Sequence, residues 1–148
     1  MSFAIVRCGA ALPETYDRLA SAAAAEGFDF LARLRKRWND SAYDSDRDAS
    51  VFGGFVDGDL QAIGAQTCDE HDPDPMHRRI RHFYVHPAVR RAGVGRTLAT
   101  ALIQQAFQLA PRLHLRATHP LSTAFWDAMG FARVDHPTRT HVMLRDGA

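Results

Sequence analysis

Lysine is almost missing from this chain: Lys36 stands alone against seventeen arginines, a bias that fits codon usage in a GC-rich bacterium better than a binding role. An excess of one charge sign is missing too. The formal net charge is +1 and no block of like charges occurs, so the basic face that a phosphate backbone requires is absent and nucleic acid is not an expected partner. No apolar run reaches the ~18 residues of a membrane span, and MSFAIVRCGA has neither the charged start nor the apolar stretch of a signal peptide. A soluble, cytoplasmic protein without a membrane partner is expected. Cysteine is scarce: Cys8 and Cys68 form no Cys-x-x-Cys pair, which argues against a disulfide framework or a zinc site and leaves both as buried or incidental thiols. The histidines show no ligand spacing, because the strand and turn that carry His82 and His86 would not converge them on one ion. No metal is expected.

What is present reads as one domain spanning residues 1–148. With 46% hydrophobic residues, a chain of this length can bury about two-thirds of its unfolded surface. FAIVR (3–7) reads as a strand. After Pro13, ETYDRLASAAAAEG predicts a helix stopped at Gly27, and FLARLRKRW predicts a second, with Phe30, Leu31, Leu34 and Trp38 at helical spacing. SVFGGFV and LQAIGAQT flank Asp57-Gly58-Asp59, a hairpin signal. RIRHFYV makes the next strand, followed by a helix from about Gly93 to Leu109, the strand LHLRAT, a helix from about Ser122 to Met129, and the segments FARV and HVMLR. The order is α/β (α+β) with a mixed sheet: hairpins impose antiparallel pairing, and the strand-helix-strand unit from Arg79 to Thr118 imposes a parallel crossover.

The informative stretch is YVHPAVRRAGVGRTLATAL, where a strand and a Pro turn lead into Arg90-Arg91-Ala92-Gly93-Val94-Gly95 and a long helix. Gly93 and Gly95 carry no Cβ, so a ligand oxygen can approach the backbone, and the free amides and positive dipole end of the helix favour phosphate. A diphosphate suits that geometry. The third glycine of a dinucleotide fingerprint and the Gly-Lys-Ser/Thr of a P-loop are both missing, which argues against a nucleotide-binding domain.

R-R-A-G-V-G resembles the Arg/Gln-x-x-Gly-x-Gly/Ala pattern of the GNAT superfamily of N-acetyltransferases, and the likeness extends along most of the chain. FYVHP resembles that family's fourth strand and turn, FWDAMGF (125–131) its Phe-Tyr-x-x-x-Gly-Phe segment, and the Asp-Gly hairpin with Gly64 also fits. The resemblance implies a mixed, mostly antiparallel central sheet of about six to seven strands with about four flanking helices, and an acetyl-CoA-dependent transfer to a primary amine on a small molecule, peptide or protein. It implies that the segment Arg90, Arg91, Ala92, Gly93, Val94, Gly95 and Arg96 holds the pyrophosphate, the amides of Arg91 to Arg96 doing so directly. The pantetheine arm would pair with the strand Phe83, Tyr84 and Val85, the Val85 amide polarising the thioester carbonyl. His119 would stand where the family often has a pantetheine-binding asparagine, and Trp126 would line the arm or pack in the core. A homodimer is compatible with the family.

The reaction adds two demands. An amine resembling lysine, with pKa ~10.4, is neutral in only about one molecule in 2,500 at pH 7, a deficit of roughly 4.6 kcal/mol. His82, His77 and Glu70 are the candidate bases; strict strand alternation puts Arg79 and Arg81 on the face of Phe83 and Val85 and sends His82 to the other, unless a bulge intervenes. The departing thiolate is the second demand. Trp126 occupies the place of the family's usual tyrosine proton donor, and an indole N–H is not an acid in the accessible range. Tyr43, Tyr84, Ser122, His119 or water are the substitutes, and a catalytically weak or inactive CoA-binding regulatory domain is the alternative function. For the acceptor, Trp38, Asn39, Asp40, Tyr43 and Asp44 are expected nearby; Asp69, Glu70, Asp72 and Asp74 would draw in a cation or form a solvated surface, whereas Arg79 and Arg81 would suit a carboxylate.

Overall fold

A computed structural model describes residues 2–41, 46 and 48–146. The chain runs β1 (Phe3–Arg7), α1 (Tyr16–Ala25), α2 (Phe30–Asn39), β2 (Ser50–Val56), β3 (Asp59–Thr67), β4 (His77–Val85), a 3₁₀ turn (Pro87–Val89), α3 (Val94–Leu109), β5 (Arg112–Leu115), α4 (Pro120–Ala128), β6 (Ala132–Arg133) and β7 (His141–Leu144). The seven strands form one sheet in the order β1-β2-β3-β4-β5-β7-β6. Only β4 and β5 pair in parallel, as a crossover through α3 demands; the rest is antiparallel. The hairpin joining β2 to β3 turns on Asp57 and Gly58 at φ 50° and 89°, the left-handed pair that matches strand twist.

The sheet separates two cores. On one face α3 and α4 pack Leu98, Leu102 and Trp126 against Ile80, Leu113 and Leu115; on the other α1 and α2 pack Tyr16, Leu19, Leu31 and Leu34 against Ile63, Ala65 and Tyr84. Burial of these two apolar layers is the main stabilising term.

The strand β4 changes faces part-way along. Ala65 of β3 opposes Arg81 and Ile63 opposes Tyr84, so His82 and Phe83 together face the single Gly64. His82 takes the left-handed φ of 56° that absorbs the extra residue. Ile80 lies against the α3 side, and after the bulge Phe83 and Val85 do as well, while Tyr84 lies against α1 and α2. Gly64 makes room for this: a Cβ there would come within 2.7 Å of Leu102 Cδ1 and 3.0 Å of Phe83 Cδ2. Pairing between β4 and β5 ends at Arg79 with His114, whereas β5 continues beside β7 through Leu115. Beyond Arg79 the two parallel strands therefore diverge. This is why LHLRAT contributes only Leu113–Leu115 to the sheet: its last residues have no partner on β4.

Candidate active site

At the mouth of the divergence lies the start of α3. Arg91 (φ 71°) and Gly93 (φ 87°) are both left-handed, and Gly93 caps the helix without any side-chain hydrogen bond to it. The first intrahelical bond is Thr97 N–H to the Gly93 carbonyl, so the amides of Val94, Gly95 and Arg96 have no partner in the helix. Space above Gly93 is open, and a Cβ on Gly95 would lie 3.1 Å from Val85 Cγ2, which places this turn directly over the end of β4. Free first-turn amides, a glycine cradle and the exposed guanidiniums of Arg91 and Arg96 fit an anionic phosphate group. Arg90 is engaged otherwise: it donates from Nε to the Val85 carbonyl at 3.0 Å and holds Glu26 through both terminal nitrogens at 2.7 and 3.0 Å. Its side chain fixes the turn. The side chains of Val94 and Ala92 face the core, leaving only their backbone at the mouth.

The diverging strands also expose a backbone edge. His86 N–H bonds the Gln61 carbonyl on β3, so alternation gives Tyr84 to β3 and directs the amides of Phe83 and Val85 toward the gap. Tyr84, expected beside the pantetheine, is thereby turned away: its backbone serves β3, its ring packs on Phe28 and Phe30, and its hydroxyl donates to Glu26. Burial and the adjacent Glu26 push that phenol up, so Tyr84 is no proton donor either.

Through the gap runs a cavity of about 560 Å³, bounded by the α1–α2 turn (Gly27–Phe30), α2, β4 and the segment from Leu115 to His119. The bulge corrects the expected facing of the arginines. Arg79 and Arg81 lie on the α2 side, opposite to the rings of Phe83 and the side chain of Val85: Arg81 reaches Glu70 at 3.4 Å, as does Arg37 of α2 at 2.7 Å, and Arg79 donates to the Thr138 carbonyl at 3.0 Å. His82 follows Arg81 onto that side and bonds the Phe30 backbone, while its Nε2 is buried without a partner. Burial and the charges of Arg81, Arg37 and Arg33 push the imidazole down to about 3. It is therefore neutral at pH 7, an acceptor of hydrogen bonds and a weak base. Glu70 loses its candidacy as a base: burial raises its pKa, but the bond to Arg37 and the charges of Arg81 and Arg37 outweigh this and leave it at about 2.

On the α3 and α4 side the cavity meets Phe83, His119, Ser122 and Trp126. Trp126 is 4% exposed and packs edge-on against Phe83, Phe125 and Phe131, at centroid distances of 4.8, 4.9 and 5.4 Å. It is a core aromatic with an edge on the cavity. His119 caps α4, its Nδ1 accepting from Leu121 N–H at 3.2 Å, and its ring rests on Phe28. In the neutral ring that bond leaves the proton on Nε2.

Other sequence candidates lie elsewhere. His77 sits at the far end of β4, bound to Asp72 and Asp74 at 3.1 and 3.5 Å and stacked on His114 at 4.3 Å. The acidic loop is consumed by its own neighbours: Asp69 meets His114 and Arg79, and Asp72 meets Arg139. Of that loop only Glu70 lines the cavity. Trp38 packs with the α1–α2 core and Asp40 pairs with Lys36. Tyr43 and Asp44 lie outside the described residues. Cys68 is exposed and Cys8 half-buried, its thiol pushed up to about 11 by burial. Among the described residues no group of three or more His, Cys, Asp or Glu could hold a metal ion, and no helix is long and apolar enough to cross a membrane. Sequence reading did not pick out Arg33, Arg37 and Phe28 as cavity residues; the one available signal was the i, i+4 spacing of the two arginines on a single face of α2.

A sequence model of the Acetyltransferase (GNAT) family matches residues 15–131. That span covers most of the chain, and the chain belongs to the GNAT acetyltransferase family. No curated protein sequence matches significantly. Among solved structures, a proposed acetyltransferase from Exiguobacterium sp. 255-15 is 23% identical with a TM-score of 0.86, covering 97% of this chain and 94% of its own. An acetyltransferase from Streptococcus agalactiae 2603 is 15% identical (TM-score 0.74, 96% and 98% covered). The PaiA N-acetyltransferase from Thermoplasma acidophilum, solved with coenzyme A, is 16% identical (TM-score 0.67, 98% and 99% covered). These likenesses establish the mixed, mostly antiparallel fold.

Proposed function

We propose that this protein is an acetyl-CoA-dependent N-acetyltransferase that acts by direct attack of an amine on the bound thioester. The observation that carries this reading is the opening of β4 from β5 immediately beside the uncapped amides of α3. Val94, Gly95 and Arg96 would bind the pyrophosphate through their amides, with Arg91 and Arg96 adding charge, and the free edge at Phe83 would pair with an amide group of the pantetheine arm, the Val85 carbonyl being held by Arg90. The Val85 N–H would polarise the thioester carbonyl. On the other side of the gap, the unpartnered Nε2 of His82 accepts the amine's hydrogen and lets the proton pass to water, a C–N bond forms as the C–S bond breaks, and the thiolate takes a proton. The Nε2–H of His119 would donate a hydrogen bond to the departing sulfur where Trp126 displaces the usual tyrosine, and water would supply the proton. The coenzyme A held by the structurally similar Thermoplasma protein supports the same ligand here.

The test has two stages. Heat protection by acetyl-CoA and CoA, but not by ATP or NAD, is expected; the reverse pattern would sink the assignment. Thiol release is then followed with amino acids, polyamines and peptide N-termini. Tight binding of acetyl-CoA with no release above background would leave a CoA-binding domain rather than an enzyme.

A further inference from the structure

The acceptor half of the cavity is unusually rich in one kind of group. Arg33, Arg37, Arg79, Arg81 and Arg116 line it against two carboxylates, Asp29 and Glu70. Asp29 is taken by Arg33 at 2.7 Å, and Glu70 occupies one nitrogen each of Arg37 and Arg81. Arg79 pairs with Asp69 at 3.8 Å and donates to the Thr138 carbonyl, but Nε of Arg81, whose side chain is 11% exposed, is buried without a partner. His82, 9% exposed and next in sequence, presents a second unpartnered nitrogen on the same side of β4. Orphaned buried polar atoms of this kind are rare in folded proteins and mark places where a ligand completes the bonding.

Resting on the acetyltransferase reading, we propose that the cavity selects acceptors that carry a carboxylate close to the amine, with the carboxylate held by Arg37 and Arg81 and the amine set against Nε2 of His82. Guanidinium forks match a carboxylate in pairs of parallel bonds, whereas a polyamine would meet like charge on three sides. The cavity's volume of about 560 Å³ is that of a small-molecule site. The same residues couple binding to chemistry. Arg81, Arg37 and Arg33 are the charges that disfavour a proton on His82, so an anion that neutralises them makes the imidazole a better base while the amine lies against it. Asp29, Glu70, Arg116 and His119 face the same space and act on the ring in both states.

Matched acceptors test this in the wild-type protein with acetyl-CoA: α- and ω-amino acids, their carboxamides, and a polyamine. The acids should exceed their amides in kcat/KM by about 10- to 100-fold, the scale of one charge-assisted hydrogen-bond pair. Arg37→Gln should remove most of that advantage by raising KM for the acid by a larger factor than KM for the amide. Amides or polyamines that equal the acids, or an Arg37→Gln effect of equal size on both, would overturn the proposal. Where no acceptor turns over, the enzyme reading has failed and the inference is read separately by calorimetry of the CoA-loaded protein with N-acetyl amino acids against their amides. Preference for the acid supports it, and equal binding overturns it.

Discussion

Replacing His82 with asparagine keeps a residue that tolerates a φ of 56° while deleting a titrating ring from beside three guanidiniums. The folded protein holds this imidazole at about 3, and the unfolded chain returns it to ~6.5. The folded value is the lower one, so the neutral ring is what folding favours: the contribution to stability is complete above pH 6.5 and is lost as pH falls from there toward 3. In the interval from pH 7.5 to 5.5 the unfolded state takes up a proton that the native state refuses, which removes about 1 kcal/mol. That figure depends only on the unfolded pKa, because the folded one lies far below the interval. Urea unfolding at the two pH values, in wild type and His82→Asn, isolates the effect as a difference of differences. His114, pushed down to about 4 by burial, adds a loss of the same sign but is present in both proteins. The variant should lose about 1 kcal/mol less than wild type on acidification. An identical pH response in the two would mean that the ring titrates in the native state as it does in the unfolded chain, and the account of a neutral acceptor poised in the cavity would fall with it.

Gly64→Ala should destabilise by about 1–3 kcal/mol in urea unfolding, since its Cβ would collide with Leu102 and Phe83; an unchanged midpoint would remove the argument that only glycine admits the bulge. Gly95→Val should weaken acetyl-CoA binding by about 10-fold or more in calorimetry, as a branched side chain crowds Val85 and the free amides; unaltered affinity would displace the pyrophosphate from this turn. Trp126→Tyr should lower stability by about 1–3 kcal/mol, because a smaller ring leaves a void among Phe83, Phe125 and Phe131. Its kcat should stay within about 10-fold of wild type; a gain near ~100-fold would show that the proton donor was missing and that water does not make up for it.

The elements themselves were legible because each carried a local reason. Asp57-Gly58 enforces a left-handed turn, Gly27 and Pro111 stop helices, and Gly93 opens one, so the order of strands and helices and the parallel crossover follow from short-range chemistry. Alternation along RIRHFYV was a different matter. A period of two assigns every side chain once one is assigned, and a single extra residue reverses all that follow. Nothing local in Arg81-His82-Phe83 announces the extra residue, because its cause is three-dimensional: Gly64 on the neighbouring strand leaves a hollow that Phe83 and Leu102 fill.

That one inserted residue has three consequences that belong together. It turns Phe83 and Val85 to the α3 side while leaving Arg79 and Arg81 on the α2 side, so a single strand presents an apolar face to one side and a basic face to the other. It leaves His82 beside Arg81 rather than opposite it, with one ring nitrogen tied to Phe30 and the other unpartnered. It also bends β4 just past its last pair with β5, where Val85 meets Gly95 and the gap opens. A regular strand in the same place would satisfy its edge against β5 and set the arginines against the hydrophobic core. The left-handed histidine is thus the local strain, of order 1–2 kcal/mol, that accompanies the opening between β4 and β5.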